Sequence, residues 1–239
     1  MTSAWLIFFS PLALLAATVS GHVELKDSRD PAVRKKMDYS GVVVSLKPVN
    51  GAHTPTVPVR FGTGHARMFQ KNKTFTPHVL AIPIGTTVDF PNLDPIFHNA
   101  FSSYNGQIFD VSLYPPGSSR AVHFKREGIV RVFCNIHSSM SAVIVVLDTP
   151  YFDTTDRGGV FEIRDVPPGD YDMHVFHERA SDENLRRLTR HISVPAAGLE
   201  LTPISISESG YLPIPHKNKF GQDYRPEPDD HTIYPAVRK

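Results

Sequence analysis

The stretch Gly128-Ile129-Val130-Arg131-Val132-Phe133-Cys134-Asn135-Ile136-His137-Ser138-Ser139-Met140-Ser141-Ala142-Val143-Ile144-Val145-Val146-Leu147 holds two runs rich in β-branched and aromatic residues. Gly128 to Phe133 and Ser141 to Leu147 each have the length and composition of a strand. Cys134 closes the first strand, and Asn135 to Met140 form the loop that returns the chain into the second. Outward from this hairpin the pattern repeats. Gly41 to Leu46 is a strand stopped by Pro48 and Asn50-Gly51, and Thr56 to Phe61 alternates and reads as another. Phe75 to Ile84 is apolar but broken by Pro77 and Pro83. Thr86 to Phe90 and Ala121 to Lys125 are further short strands, with Lys71-Asn72-Lys73 and Pro91 to Pro95 as turns between them. Short strands with Pro and Gly punctuation, in a chain carrying 21 prolines, predict a β-sandwich rather than a helical bundle.

The 239 residues, 41% of them hydrophobic, suffice for one or two domains with their own cores. The 25 basic and 24 acidic residues nearly cancel, so neither a nucleic-acid binder nor an acidic disordered chain is expected. A single cysteine rules out an internal disulfide framework and a four-cysteine zinc site. Residues 1–20 read as a secretory signal: an apolar run from Ala4 to Val19, then small Ser20 and Gly21, although no Lys or Arg precedes it. A membrane anchor is the other reading, weakened by the short length and by Ser10-Pro11. The mature protein is thus expected in the periplasm or another extracytoplasmic space, without stable membrane association. There an unpaired thiol needs burial or a metal to protect it.

Residues 21–38, with Arg34-Lys35-Lys36, read as a charged, solvated leader, and 39–149 as the first domain. After Thr149-Pro150 a second β unit runs over 150–207. Val160 to Ile163 and Tyr171 to His177 alternate, Val166-Pro167-Pro168-Gly169 turns between them, and Ser181 to Arg190 reads as one or two helical turns. His191 to Val194 and Leu199 to Ile206 are the last strands. Residues 208–239, rich in Pro, Lys and Asp with isolated aromatics, are expected to be an extended tail.

The chemistry gathers at the loop. Cys-x2-His-x2-Met places the thiol of Cys134, the imidazole of His137 and the thioether of Met140 on one tight connection. His98, in Phe97-His98-Asn99, follows another strand, and two loops at one end of a sandwich converge. Thiolate and imidazole suit copper in both oxidation states, and a thioether is a poor zinc ligand, so Met140 tilts the choice toward copper. On the residues alone other readings stay open. Cys134 and Met140 are also what a core would hold. A Cys134–His137 nucleophile is a further reading, although no glycine cluster of the oxyanion type surrounds the cysteine.

This segment resembles the cupredoxins, and its short Cys-x2-His-x2-Met loop looks like that of amicyanin. Gly85 to Asp94 followed by His98-Asn99 is similar to the strand and first histidine of that family. The resemblance extends over about Tyr39 to Leu147, closer to exported plastocyanin-like proteins grouped by analogy with methylamine utilisation. It implies an all-β chain with a Greek-key cupredoxin sandwich, one type 1 copper, His98, Cys134 and His137 as equatorial ligands, and Met140 as axial ligand. It also implies that Asn99 ties the two ligand loops together. Gly158 to His177 resembles the carboxypeptidase regulatory-like (transthyretin-like) domain, which implies a second, smaller sandwich without catalytic residues of its own. The implied function is one-electron transfer between redox partner proteins, with no enzymatic role. A copper chaperone or store is the alternative, as is a non-redox interaction protein on the same scaffold.

Among the other histidines, His78 is a candidate neighbour of the metal or, as the preferred reading, an edge histidine. His123 is expected to face solvent. His174 and His177, three apart on a strand, should lie on opposite faces. His53, His65, His216 and His231 sit in loop-like sequence and read as solvated. Arg186, Arg187 and Arg190 read as a solvated face or as a contact for an acidic redox partner.

Overall fold

A computed structural model describes residues 16–49, 64–103, 106–212 and 216–224. The expected strand at Thr56 to Phe61, His53 and His231 lie outside the described residues. The chain is almost entirely β. It begins with β1 (Ala17–Lys26), α1 (Pro31–Lys36) and β2 (Val43–Pro48). Then follow β3 (His65–Arg67), β4 (Phe69–Lys71), β5 (Thr74–Thr76), β6 (Val79–Pro83), β7 (Thr87–Pro91), β8 (Phe101–Ser102), β9 (Phe109–Asp110), β10 (Ser119–His123), β11 (Gly128–Phe133) and β12 (Ser141–Leu147). The last elements are β13 (Phe152–Thr154), β14 (Val160–Val166), β15 (Gly169–Phe176), α2 (Asp182–Leu188), β16 (Arg190–Val194), β17 (Leu199–Glu200) and β18 (Ile204–Ser207).

The strands from β6 to β12 build one sandwich, together with β3. A sheet in the order β6-β12-β11-β8-β9 faces a sheet in the order β10-β7-β3, and the β4–β5 hairpin lies beside them. Val88 and Phe90 from one side meet Val130, Val132, Ala142, Ile144 and Val146 from the other in a common core. The second sandwich sets the order β13-β2-β15-β16 against β14-β1-β17, with β18 also pairing to β1. Its core takes Val19, Val23 and Leu25 from β1, Val44 and Leu46 from β2, and Phe161, Ile163, Tyr171 and Met173 from the later strands.

This pairing corrects the linear division of the chain. β2 aligns with β15 from Val43↔Phe176 to Pro48↔Tyr171, so the strand assigned to a 39–149 domain belongs with the later strands. Residues 64–147 form a sandwich inserted between β2 and β13 of the other. Residues 21–38 are likewise not a solvated leader. Their first part is β1, and the rest includes a capped helical turn in which Asp30 accepts from the Ala32 amide at 2.7 Å ahead of Pro31. The export boundary at residue 20 also falls inside β1, where Val19, Ser20 and Gly21 align with Ile163, Glu162 and Phe161. Ala17, Val19, Val23 and Leu25 are all buried. The run looked like a signal terminus because Ser20, Gly21 and His22 interrupt its alternation. Gly159 closes this region at φ +81°, and a Cβ there would come within 2.1 Å of the Val23 carbonyl oxygen.

The lack of alternation in the apolar parts of β2 and β12 now has a physical reason. In β12, Ala142, Ile144 and Val146 face the inserted core, while Val143 and Val145 face Val43, with Phe176 and Val79 packed around them. Both faces of β12 and of β2 are covered, because these strands form the seam between the sandwiches, and alternation disappears. Among the described residues no helix is long and apolar enough to cross a membrane.

Candidate metal centre

The β11–β12 hairpin delivers the loop. The strands pair from Gly128↔Val146 to Phe133↔Ser141, and the turn beyond them is closed by its own backbone. The Cys134 amide donates to the Met140 carbonyl at 3.2 Å, and the Met140 amide to the His137 carbonyl at 3.1 Å. The second loop is delivered by β8, whose Phe101 pairs with Phe133 immediately before the cysteine. His98 is pinned further by a bridge to Tyr114, with amide–carbonyl bonds of 3.2 and 2.9 Å in the two directions.

These constraints bring His98, Cys134 and His137 together as a buried group whose ligand atoms all lie within 4.8 Å of one another. Cys134 Sγ is 3.9 Å from His98 Nδ1 and 3.8 Å from His137 Nδ1. The imidazole centroids are 5.0 Å apart and their planes inclined by 63°. With bonds of about 2.3 Å to sulfur and about 2.05 Å to nitrogen, a trigonal ion would hold sulfur and nitrogen about 3.8 Å apart. The observed separations fit that arrangement, and soft thiolate with two imidazoles is a donor set for copper. Met140 is fully buried at the end of the loop, in the same apolar cluster as Cys134.

Behind His98 stands a residue that the sequence reading passed over as part of a loop. Asp94 Oδ2 accepts a hydrogen bond from His98 Nε2 at 2.8 Å. The same carboxylate accepts from the Asn72 amide at 2.6 Å and the Lys73 amide at 2.9 Å. Burial pushes the Asp94 carboxyl up, but the Lys73 amide, the imidazole and the Asn72 amide together outweigh it, and it stays below the usual carboxylate range. Burial in turn pulls the His98 imidazole below its ordinary value despite the carboxylate. The result is a neutral ring with its Nε2–H on Asp94 and its Nδ1 lone pair turned to the site. The signal in the sequence was an acid four residues before the histidine, in a loop rich in turn formers.

Asn99 lies between the two loops. Its Oδ1 accepts from the Asn135 amide at 3.1 Å, and its Nδ2 donates to Asp110 at 2.7 Å, so the two ligand loops are tied side chain to backbone. Tyr114 is buried in the same cluster, with its hydroxyl donating to the Phe90 carbonyl at 2.9 Å. Burial, and after it the Cys134 charge, raise its phenol well above the usual range.

His78 is not part of the donor group. Its Nδ1 meets the Ser141 carbonyl at 3.1 Å and its Nε2 meets Glu178 at 2.8 Å, which places it at the junction of the sandwiches. His123 and His65 are exposed; His174 is exposed on β15, and His177, one residue beyond that strand, is buried and paired with Glu208 at 2.9 Å. Arg186, Arg187 and Arg190 are exposed. His216 departs from expectation, since it is half-buried and its ring stacks on Phe133 with centroids 4.0 Å apart.

No protein-family model matches the chain, and no curated protein matches it. Among solved structures, it is similar to a Cu-containing nitrite reductase (NirK) from Thermus scotoductus SA-01 at 26% identity and a TM-score of 0.34. That match covers 35% of this chain and only 22% of the other. A purple cupredoxin from Nitrosopumilus maritimus matches at 26% identity and a TM-score of 0.31, over 34% of this chain and 99% of the other. A reduced amicyanin variant matches at 16% identity and a TM-score of 0.34, over 44% and 98%.

Proposed function

We propose that this chain is a type 1 copper protein that passes single electrons between redox partner proteins in an extracytoplasmic space, with an export signal that ends ahead of β1. The carrying observation is the buried convergence of Cys134 Sγ with the two Nδ1 atoms at 3.8 and 3.9 Å. His98, Cys134 and His137 would hold the copper, with Met140 as the axial donor. When bound, the copper would supply a one-electron couple, Cu(I)/Cu(II). The protein's part is to keep its donors fixed. The closed Cys134–Met140 loop, the Asp94 bond to His98 and the Asn99 tie between loops all resist rearrangement, which lowers the cost of changing oxidation state. Cys134 offers the covalent route out of the site. His137, 6% exposed on the hairpin loop, brings that route toward the surface. The second sandwich is read as a transthyretin-like support to which the copper sandwich is anchored at both ends.

Titrating the apo protein with Cu(II) tests the reading. An intense visible thiolate-to-copper band should appear at one equivalent and be absent from Cys134→Ser. A folded, reduced sample that takes up Cu(II) without such a band would sink the proposal. Met140→Leu should keep the colour and raise the reduction potential, because a weak donor to Cu(II) is lost.

A further inference from the structure

The segment 216–224 lies across the outside of the ligand hairpin, and its contacts fall on both loops. His216 Nε2 donates to the Ser138 carbonyl at 2.9 Å, beside His137, while its ring stacks on Phe133, beside Cys134. The Tyr224 hydroxyl donates to the Cys134 carbonyl at 2.8 Å and lies 3.1 Å from His216 Nδ1. The Lys219 amide donates to Asn135 Oδ1 at 2.9 Å, and its ammonium pairs with Asp110 at 2.8 Å. Asp110 is also the residue that holds Asn99, and Asn99 accepts from the Asn135 amide. Lys219, Asp110, Asn99 and Asn135 therefore close a ring through both ligand loops.

The segment is shaped to sit there. The Asn218 side chain accepts from the Phe220 and Gln222 amides at 2.9 and 3.0 Å, and the Asn218 amide donates to the Gln222 carbonyl at 2.9 Å. Gly221 turns the chain at φ +74°. Against the loop, however, it offers polar side chains and one stacked ring, not buried apolar area. Phe220 points outward at 69% exposure. Such an element belongs to the least stable part of a fold, since ordering each residue costs about as much as one hydrogen bond returns.

We propose that residues 216–224 form a strap that clamps the two ligand loops together and, by opening locally, sets the rate at which metal and reagents reach Cys134. The strap holds the loops by the Ser138 and Cys134 carbonyls and the Asn135 side chain, so its opening acts first on access to the site. The metal half of this inference rests on the copper reading; the thiol half does not.

Cys134 is the one cysteine of the chain, which allows a test in the full-length apo protein. The reaction of its thiol with 5,5′-dithiobis(2-nitrobenzoate) is followed in the parent, His216→Ala and Tyr224→Phe. Each variant should react roughly five- to tenfold faster, the factor expected from removing one net hydrogen bond or stack. In copper-loaded samples, withdrawal of Cu(I) by bathocuproine disulfonate should accelerate by a similar factor with the optical band unchanged. Parent-like thiol reactivity in both variants, with native circular dichroism, would overturn the strap. If the parent binds no copper, the thiol rates still decide the strap, and the copper reading fails separately.

Discussion

At the scale of single residues, the Asp94–His98 pair has the clearest electronic consequence. A carboxylate on the far nitrogen makes the imidazole a stronger donor, and a stronger donor favours Cu(II) over Cu(I). Asp94 is held ionised by two backbone amides as well as the imidazole, so this influence is permanent across the physiological range. Asp94→Asn should therefore lower Cu(II) affinity by about 10- to 100-fold and raise the reduction potential. Competition against a Cu(II) chelator and direct voltammetry read the two effects. An unchanged potential would mean that His98 does not ligate through Nδ1. The candidate donors stand out in the sequence because their residue types are rare and three of them share one loop. Asp94 does not, since an acid in a turn is ordinary until its partner is known.

Between elements, the site depends on two loops from different strands keeping one register. Asn99 joins them: its side chain accepts the Asn135 amide and donates to Asp110, and it is 1% exposed. Asn99→Ala leaves that amide without its acceptor in a half-buried place, which costs about 1–3 kcal/mol. The prediction is a lower denaturation midpoint for the apo protein, measured in urea. A broadened copper EPR spectrum in the loaded form should accompany it, as the loops gain freedom. An unchanged midpoint and spectrum would show that β8 and the β11–β12 hairpin already fix the register without this tie. The strands themselves were largely readable. β7, β11, β12, β14 and β15 came from composition and punctuation, and α2 falls inside the helical turns expected from Ser181 to Arg190, with the Ser181 hydroxyl accepting from the Asn184 amide at 3.2 Å. β1 was hidden because Ser20, Gly21 and His22 sit mid-strand, where they read as the polar flank of an apolar run. The strap was hidden for the opposite reason: isolated aromatics in a Pro-rich tail carry no period to read.

For the molecule as a whole, the insertion of one sandwich into the other was beyond sequence reasoning. The apolar run Gly41 to Leu46 specifies a strand buried on both faces but not its partner across more than a hundred residues. The insertion places titratable pairs where they hold distant parts together, and these shape stability against pH. Glu208 joins the end of β18 to Ser28, His177 and Arg179. Burial pushes its carboxyl up, but the His177, Arg179 and Ser28 bonds prevail and bring it down to about 2 from 4.5. A depressed carboxyl stabilises above its unfolded value, and that contribution is lost as pH falls from 4.5 toward about 2. On the other flank, the Glu178 hydrogen bond raises His78 above 6.5, against burial. A raised imidazole stabilises fully below 6.5, and the contribution disappears as pH rises through the folded value. Because the His78 side chain is 48% exposed, solvent and salt screen this flank, and it should be shallower than the acid one. Denaturation midpoints from pH 3 to pH 9 should thus fall at both ends, the alkaline fall being weakened by salt. Glu208→Gln should remove part of the acid dependence, the rest staying with Asp94, Asp110 and Glu178, whose carboxyls are also held low, while lowering stability throughout, by about 3 kcal/mol, since it breaks a buried pair. His78→Gln should flatten the alkaline side and, because His78 also holds the Glu178 carboxyl below its usual range, weaken part of the acid dependence as well. If the alkaline side were unchanged in this variant, the junction of the two sandwiches would not be held by the His78–Glu178 pair in the way its 2.8 Å contact indicates.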